Sequence, residues 1–174
     1  MITFSLSSGI SDVDFTRLFA GSITDMDAGN YPWHYFPDVV TFEQKKAHIK
    51  AGFDAILARD DGFVWQVDID GQVMMLNAGY RDGAHVRWVM GLVAQDDAGS
   101  KAYLYDPDYV SGRNAFWAEQ GLTGWTMETA GGDTPLLAHM RNKVTAGAMG
   151  VPVVEVDITE PLVLRDIEIG TTPE

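Results

Sequence analysis

The chain has 174 residues, 46% of them hydrophobic and 11% aromatic, enough for one packed domain with a sizeable core. Its 25 acidic and 12 basic residues give a net charge of −13, which opposes docking on nucleic-acid phosphates and favours solubility, a basic partner or a saline habitat. Cysteine is absent, which rules out disulfides and zinc–thiolate sites, and neither a membrane-length apolar run nor a signal-peptide pattern is seen.

Residues 2–6 alternate apolar and polar, as an opening strand does. Ser11 stands as an N-cap before Asp12 and Asp14, and Val13, Phe15, Leu18, Phe19 and Ile23 give the following helix an apolar face. Residues 31–37 crowd four aromatics between two prolines, either a flap packed on the core or one wall of a pocket with His34 as its polar group. Thr41 caps a second helix running to about Arg59, the most basic element of the chain through Lys45, Lys46, His48, Lys50 and Arg59. Residues 63–69 and 72–80 read as strands joined by a tight turn at Asp70-Gly71. A turn at Arg81-Asp82-Gly83 leads to the next strand, residues 86–93.

The polar stretch 95–100 follows, with Gly99 free to take a positive φ. A helix carrying Tyr105, Tyr109, Phe116 and Trp117 comes next. Strand, Gly-containing loop and helix in this order can bind phosphate, because the first amides of a helix have no partner inside it. Residues 122–129 form a further strand, which after a helix can lie parallel to the strand before it. Thr134 and Pro135 open a helix with Leu136, Leu137, Met140 and Val144 on its apolar face. Residues 151–158 and 162–169 are the last strands, so residues 1–170 make one domain and 171–174 a frayed tail. No Walker, HExxH or GxSxG motif occurs, and Asp96, Asp97, Asp106 and Asp108 lack EF-hand spacing and read as a solvated acidic face.

This order of elements resembles the GNAT acyltransferases, whose fold is α+β with a mixed, mostly antiparallel central sheet flanked by helices. The resemblance covers nearly the whole chain in element order. It implies acetyl-CoA as cofactor, its pyrophosphate wrapped by loop amides of the pattern Arg or Gln, two residues, Gly, one residue, Gly or Ala. The matching positions run from Asp96 to Lys101. Gly99 fits the central Gly, Asp96 replaces the Arg or Gln, and Lys101 replaces the small residue. The cofactor residues implied are Leu92 and Val93, through their backbone groups, with Gly99, Ser100 and Lys101. The family's Glu on the central strands has no counterpart between Phe63 and Val93, and the helix over 136–144 has no Tyr in the proton-donor slot. A second alignment puts Trp117 in that slot. The candidate acid–base residues are then His139 and His34, with Tyr31, Trp33 and His34 lining the acceptor side.

Two functions fit this reading. One is an N-acyltransferase in which a small cationic amine attacks acetyl-CoA directly. The other is a non-catalytic GNAT-like binding or structural protein with a protein partner. The segments 99–105 and 137–143 loosely resemble small GNAT-like proteins of tailed phages, which would make it a virion or host-takeover component. Neither reading involves nucleic acid or a membrane. Both admit a homo-oligomer, and the expected location is the cytoplasm, or the virion for a phage protein.

Overall fold

The computed structural model describes residues 1–27, 41–97, 99–130 and 153–158. Strand β1 (Ile2–Leu6) is followed by helices α1 (Asp12–Asp27) and α2 (Phe42–Leu57). Strands β2 (Gly62–Ile69), β3 (Gln72–Asp82) and β4 (His85–Val93) form a meander. A 3-10 turn (Ala102–Tyr105), helix α3 (Pro107–Glu119) and strands β5 (Gly124–Ala130) and β6 (Val153–Ile158) complete the described elements. The six strands lie in sequence order across one sheet. β1 to β4 pair antiparallel, whereas β5 runs parallel to β4 and β6 parallel to β5. This is the mixed, mostly antiparallel sheet expected, and β5 lies parallel to β4 as a helix crossover allows.

Local chemistry sets most boundaries. The Ser11 hydroxyl accepts the Asp14 amide at 3.1 Å, and Thr41 forms a capping box with Gln44 at the start of α2. Asp70 and Gly71 both take positive φ, 52° and 84°, which is the backbone of a tight primed hairpin turn. Two expectations are corrected. The third helix does not continue from the polar loop: Tyr105 belongs to a separate 3-10 turn, and α3 starts at Pro107. Proline suits the first helical position because it needs no amide partner, and the Asp106 carboxylate accepts the Asp108 amide at 2.8 Å as its cap. The β3–β4 turn sits at Gly83-Ala84, because Asp82 and His85 still pair with each other.

Both faces of the sheet are covered, so β3 reads as a nearly continuous apolar run. Met74, Leu76 and Ala78 point to α1 and α2, where they meet Phe15, Leu18, Phe19, Phe53 and Ile56. The opposite face receives α3. There Phe63, Trp65, Phe116 and Trp117 form one aromatic cluster, and Val67, Met75, Val93 and Tyr109 form a second beside it. The Trp65 and Trp117 rings meet edge-on with centroids 5.3 Å apart.

Candidate functional site

The sheet opens on one side of β4. β4 pairs with β5 from His85 to Trp88 alone, against Gly124 to Met127. β4 then runs on to Val93 and β5 to Ala130 without further pairing between them. The split begins at a bulge. Ala78 opposes Met90 and Gly79 opposes Trp88, so Val89 is the extra residue that bends β4 away. Beyond Val89 the ladder with β3 resumes as Asn77 with Gly91, Leu76 with Leu92 and Met75 with Val93. The Trp88 indole folds back along its own strand and donates to the Met90 carbonyl at 2.7 Å.

Two of the sequence-predicted cofactor residues lie on this strand. Leu92 is buried in the core under α1 and α2 and pairs with Leu76. Val93 is held from α1: its amide donates to the Ser22 hydroxyl at 2.9 Å, and that hydroxyl lies 3.4 Å from the Val93 carbonyl. Ser22 is itself buried. The helix comes this close because residue 21 is glycine; a Cβ there would stand 3.1 Å from the Val93 carbonyl oxygen.

The other three lie in the loop that follows. Gly99 takes φ +73°, as the sequence leads one to expect. The loop is closed on itself. The Asp96 carboxylate accepts the Ser100 amide at 2.7 Å, and the Asp96 carbonyl accepts the Gly99 amide at 2.9 Å. The Asp96 amide donates to the Ser100 carbonyl at 2.8 Å, and the Ser100 hydroxyl accepts the Ala102 amide at 3.0 Å. Lys101 reaches the Gly21 carbonyl of α1 at 3.4 Å. A carboxylate therefore occupies one position where the resemblance implies a diphosphate oxygen. The loop gives its Gly99, Ser100 and Ala102 amides to its own residues. His34, His139, Tyr31 and Trp33 lie outside the described residues.

Sequence reasoning overlooked three side chains here: Ser22, Asp96 as an acceptor, and Asn77. Asn77 stands in the middle of β3, 1% exposed, between Trp65 on β2 and Gly91 on β4. Its side-chain oxygen has no hydrogen-bond partner among the described residues. A buried acceptor left so costs about 1–3 kcal/mol. The signal was a lone amide within the apolar run Val73-Met74-Met75-Leu76-Asn77-Ala78, in a residue type that strands disfavour.

Elsewhere the charges are spent locally. On and beside the basic helix α2, Lys46 pairs with Glu43 at 2.8 Å, Lys50 with Asp54 at 3.0 Å, and Arg59 with Asp61 at 2.7 Å. The Arg59 partner holds the Asp61 carboxyl below its ordinary range. Burial lowers the His48 imidazole on the same helix. Among the described residues, no three His, Asp or Glu side chains gather as a metal site, and no helix is long and apolar enough to cross a membrane.

No protein-family model and no curated protein sequence matches the chain. Solved structures do. A possible acetyltransferase from Clostridium difficile 630 is similar over 94% of this chain and 98% of its own, with a TM-score of 0.50 at 11% identity. A GNAT family acetyltransferase from Staphylococcus aureus is similar over 92% of this chain and 98% of its own, with a TM-score of 0.46 at 15% identity. An aminoglycoside acetyltransferase from an uncultured soil metagenomic sample, solved with sisomicin, covers 92% and 96%, with a TM-score of 0.45 at 10% identity. The chain thus shares the α+β fold of the Clostridium difficile structure. At these identities the likeness extends to the fold and not to a particular reaction.

Proposed function

We propose that the chain is an acyl-CoA-dependent N-acyltransferase that takes a small cationic amine. The observation that carries this reading is the parting of β4 from β5 after Trp88, which leaves a strand edge open inside an acetyltransferase-like fold. A net charge of −13 favours the approach of a cationic acceptor, such as a polyamine, an aminoglycoside or a lysine. The neutral amine attacks the thioester carbonyl carbon. The C–N bond forms, the C–S bond breaks, and the proton lost by the nitrogen balances the one gained by the departing thiolate. Positioning supplies most of the acceleration in such a step, so it does not require a strong general base.

A second reading is favoured by one specific observation, the Asp96 carboxylate seated on the Ser100 amide. It makes the chain a binding or structural protein that keeps the fold without the diphosphate cradle, a phage virion or host-takeover component among the options. Calorimetric titration with acetyl-CoA separates the two. Dissociation constants in the micromolar range, followed by acetyl transfer in an amine screen, support the enzyme. Absence of binding at millimolar acetyl-CoA overturns it.

A further inference from the structure

We infer that the outer edge of β1 is a docking site for an extended, basic segment of a partner protein, which joins the sheet as a further strand. The site lies away from β4 and does not rest on the acyl-transfer reading.

β1 ends the sheet, and among the described strands it pairs with β2 alone. The phase of that ladder decides which backbone groups are left over. The Asp70 amide donates to the Met1 carbonyl and the Ser7 amide to the Val64 carbonyl, both at 2.9 Å. The register between them is unbroken, so Thr3 and Ser5 also turn their polar backbone groups to β2. The amides and carbonyls of Ile2, Phe4 and Leu6 then point outward. Folded proteins guard such an edge with a lysine, a proline or a bulge. β1 has none of these, and residues 2–11 carry no charged side chain. Leu6, at the end of the strand, is 54% exposed.

The two faces of the added strand are specified differently. Ile2 and Phe4 pack on the α3 side with Val67 and Tyr109, and alternation puts Leu6 on the same face. Residues of the partner opposite these three are therefore apolar, and they cover Leu6. Thr3 and Ser5 lie on the other face, opposite Asp68 and Gln66 of β2. Gln66 donates to the Asp68 carboxylate at 3.0 Å, and among the described residues no cation pairs with it. A lysine or arginine opposite Thr3 can reach over that small side chain to Asp68, two strand spacings or about 10 Å away between backbones. The net charge of −13 draws a basic segment to this edge. It opposes a second copy of the chain, which brings the same charge.

The test uses the full chain and short synthetic peptides. One alternates valine with lysine. A second is the same peptide N-methylated at its valines, which keeps every charge and removes the amides that the edge carbonyls need. A third alternates valine with glutamate. The lysine peptide should bind, and the amide signals of Ile2, Phe4 and Leu6 should shift in nitrogen-15 correlation spectra and become protected from exchange. N-methylation should weaken binding about tenfold. Leu6→Lys, a guard at an exposed position, should do the same, and Asp68→Asn should weaken it about threefold at low salt. The N-methylated peptide needs no variant, so the test stands even if a substitution unfolds the protein. Equal affinity for the N-methylated or the glutamate peptide overturns the inference. So do shifts confined to other elements, or no binding at millimolar lysine peptide. If the edge amides are protected without peptide and sedimentation shows a dimer, a second copy holds the edge and the inference falls.

Discussion

The Asp96 carboxylate accepts the Ser100 amide, and the Asp96 carbonyl accepts that of Gly99. This satisfies the loop without a ligand, but on the acyl-CoA reading proposed above it also sets a negative charge beside the diphosphate. Replacing Asp96 should therefore help anion binding, with charge and amide separable by two variants. Asp96→Asn keeps an acceptor oxygen and drops the charge; Asp96→Ala drops both and releases the Ser100 amide. Acetyl-CoA affinity measured by calorimetry should rise in both and more in the alanine variant, by about tenfold. A fall in the alanine variant would mean that the shape of the loop, held by Asp96, matters more than its charge. His48 gives a second residue-level expectation. Burial holds its imidazole below the ordinary value of 6.5, so the folded state favours the neutral ring. Between the folded and unfolded values the unfolded chain binds the extra proton. The stability His48 contributes is then present above 6.5 and lost as pH falls below it. Thermal midpoints of His48→Gln should decline less than those of the parent from about pH 7 to pH 5. Parallel curves would show that other groups set the acid limb.

At the scale of elements, α2 offers the cleanest local test. Thr41 accepts the Gln44 amide at 3.2 Å, and the Gln44 side chain accepts the Thr41 amide at 3.2 Å in return. Thr41→Ala removes the hydroxyl half of this box and should lower unfolding free energy by about 1 kcal/mol in a urea melt, with Thr41→Ser restoring most of it. Features of this kind were legible because neighbours in sequence decide them: the Ser11 and Thr41 caps, the Asp70-Gly71 turn and the alternation of β1. The element order that follows from them was enough to suggest the GNAT-like sheet. The start of α3 was legible in principle from Asp106-Pro107, but the spacing of Tyr105 and Tyr109 suggested an earlier helix. The split between β4 and β5 was not legible, because no local signal states how far two strands 30 or more residues apart stay paired. Ser22 and Val93, 71 residues apart, meet only through the packing of α1 on β4. Asn77 looked like one more strand residue until Gly91 and Trp65 were placed beside it.

For the whole molecule, the governing quantity is a net charge of −13 on 174 residues. The 25 carboxylates outnumber the 12 cations, some of which are held in local pairs such as Lys50 with Asp54, so the excess carboxylates repel one another across the surface. Folding brings them closer than they are in the extended chain, and that repulsion is a cost the fold carries at low ionic strength. Salt shortens its range, with a Debye length falling from about 30 Å at 0.01 M to about 8 Å at 0.15 M. The thermal midpoint should therefore rise as sodium chloride increases over this range, with most of the gain at the low end where the screening length changes most. The same field acts on ligands with the opposite sign for each: it draws in a cationic amine and holds off an anionic acyl-CoA. In a transferase assay, added salt should raise KM for the amine while leaving acetyl-CoA binding unchanged or improved. A midpoint that falls on adding salt would show that local ion pairs, rather than the net acidic field, dominate the electrostatics of the fold. An amine KM indifferent to salt would place the acceptor outside the reach of that field and remove the charge argument for a cationic substrate.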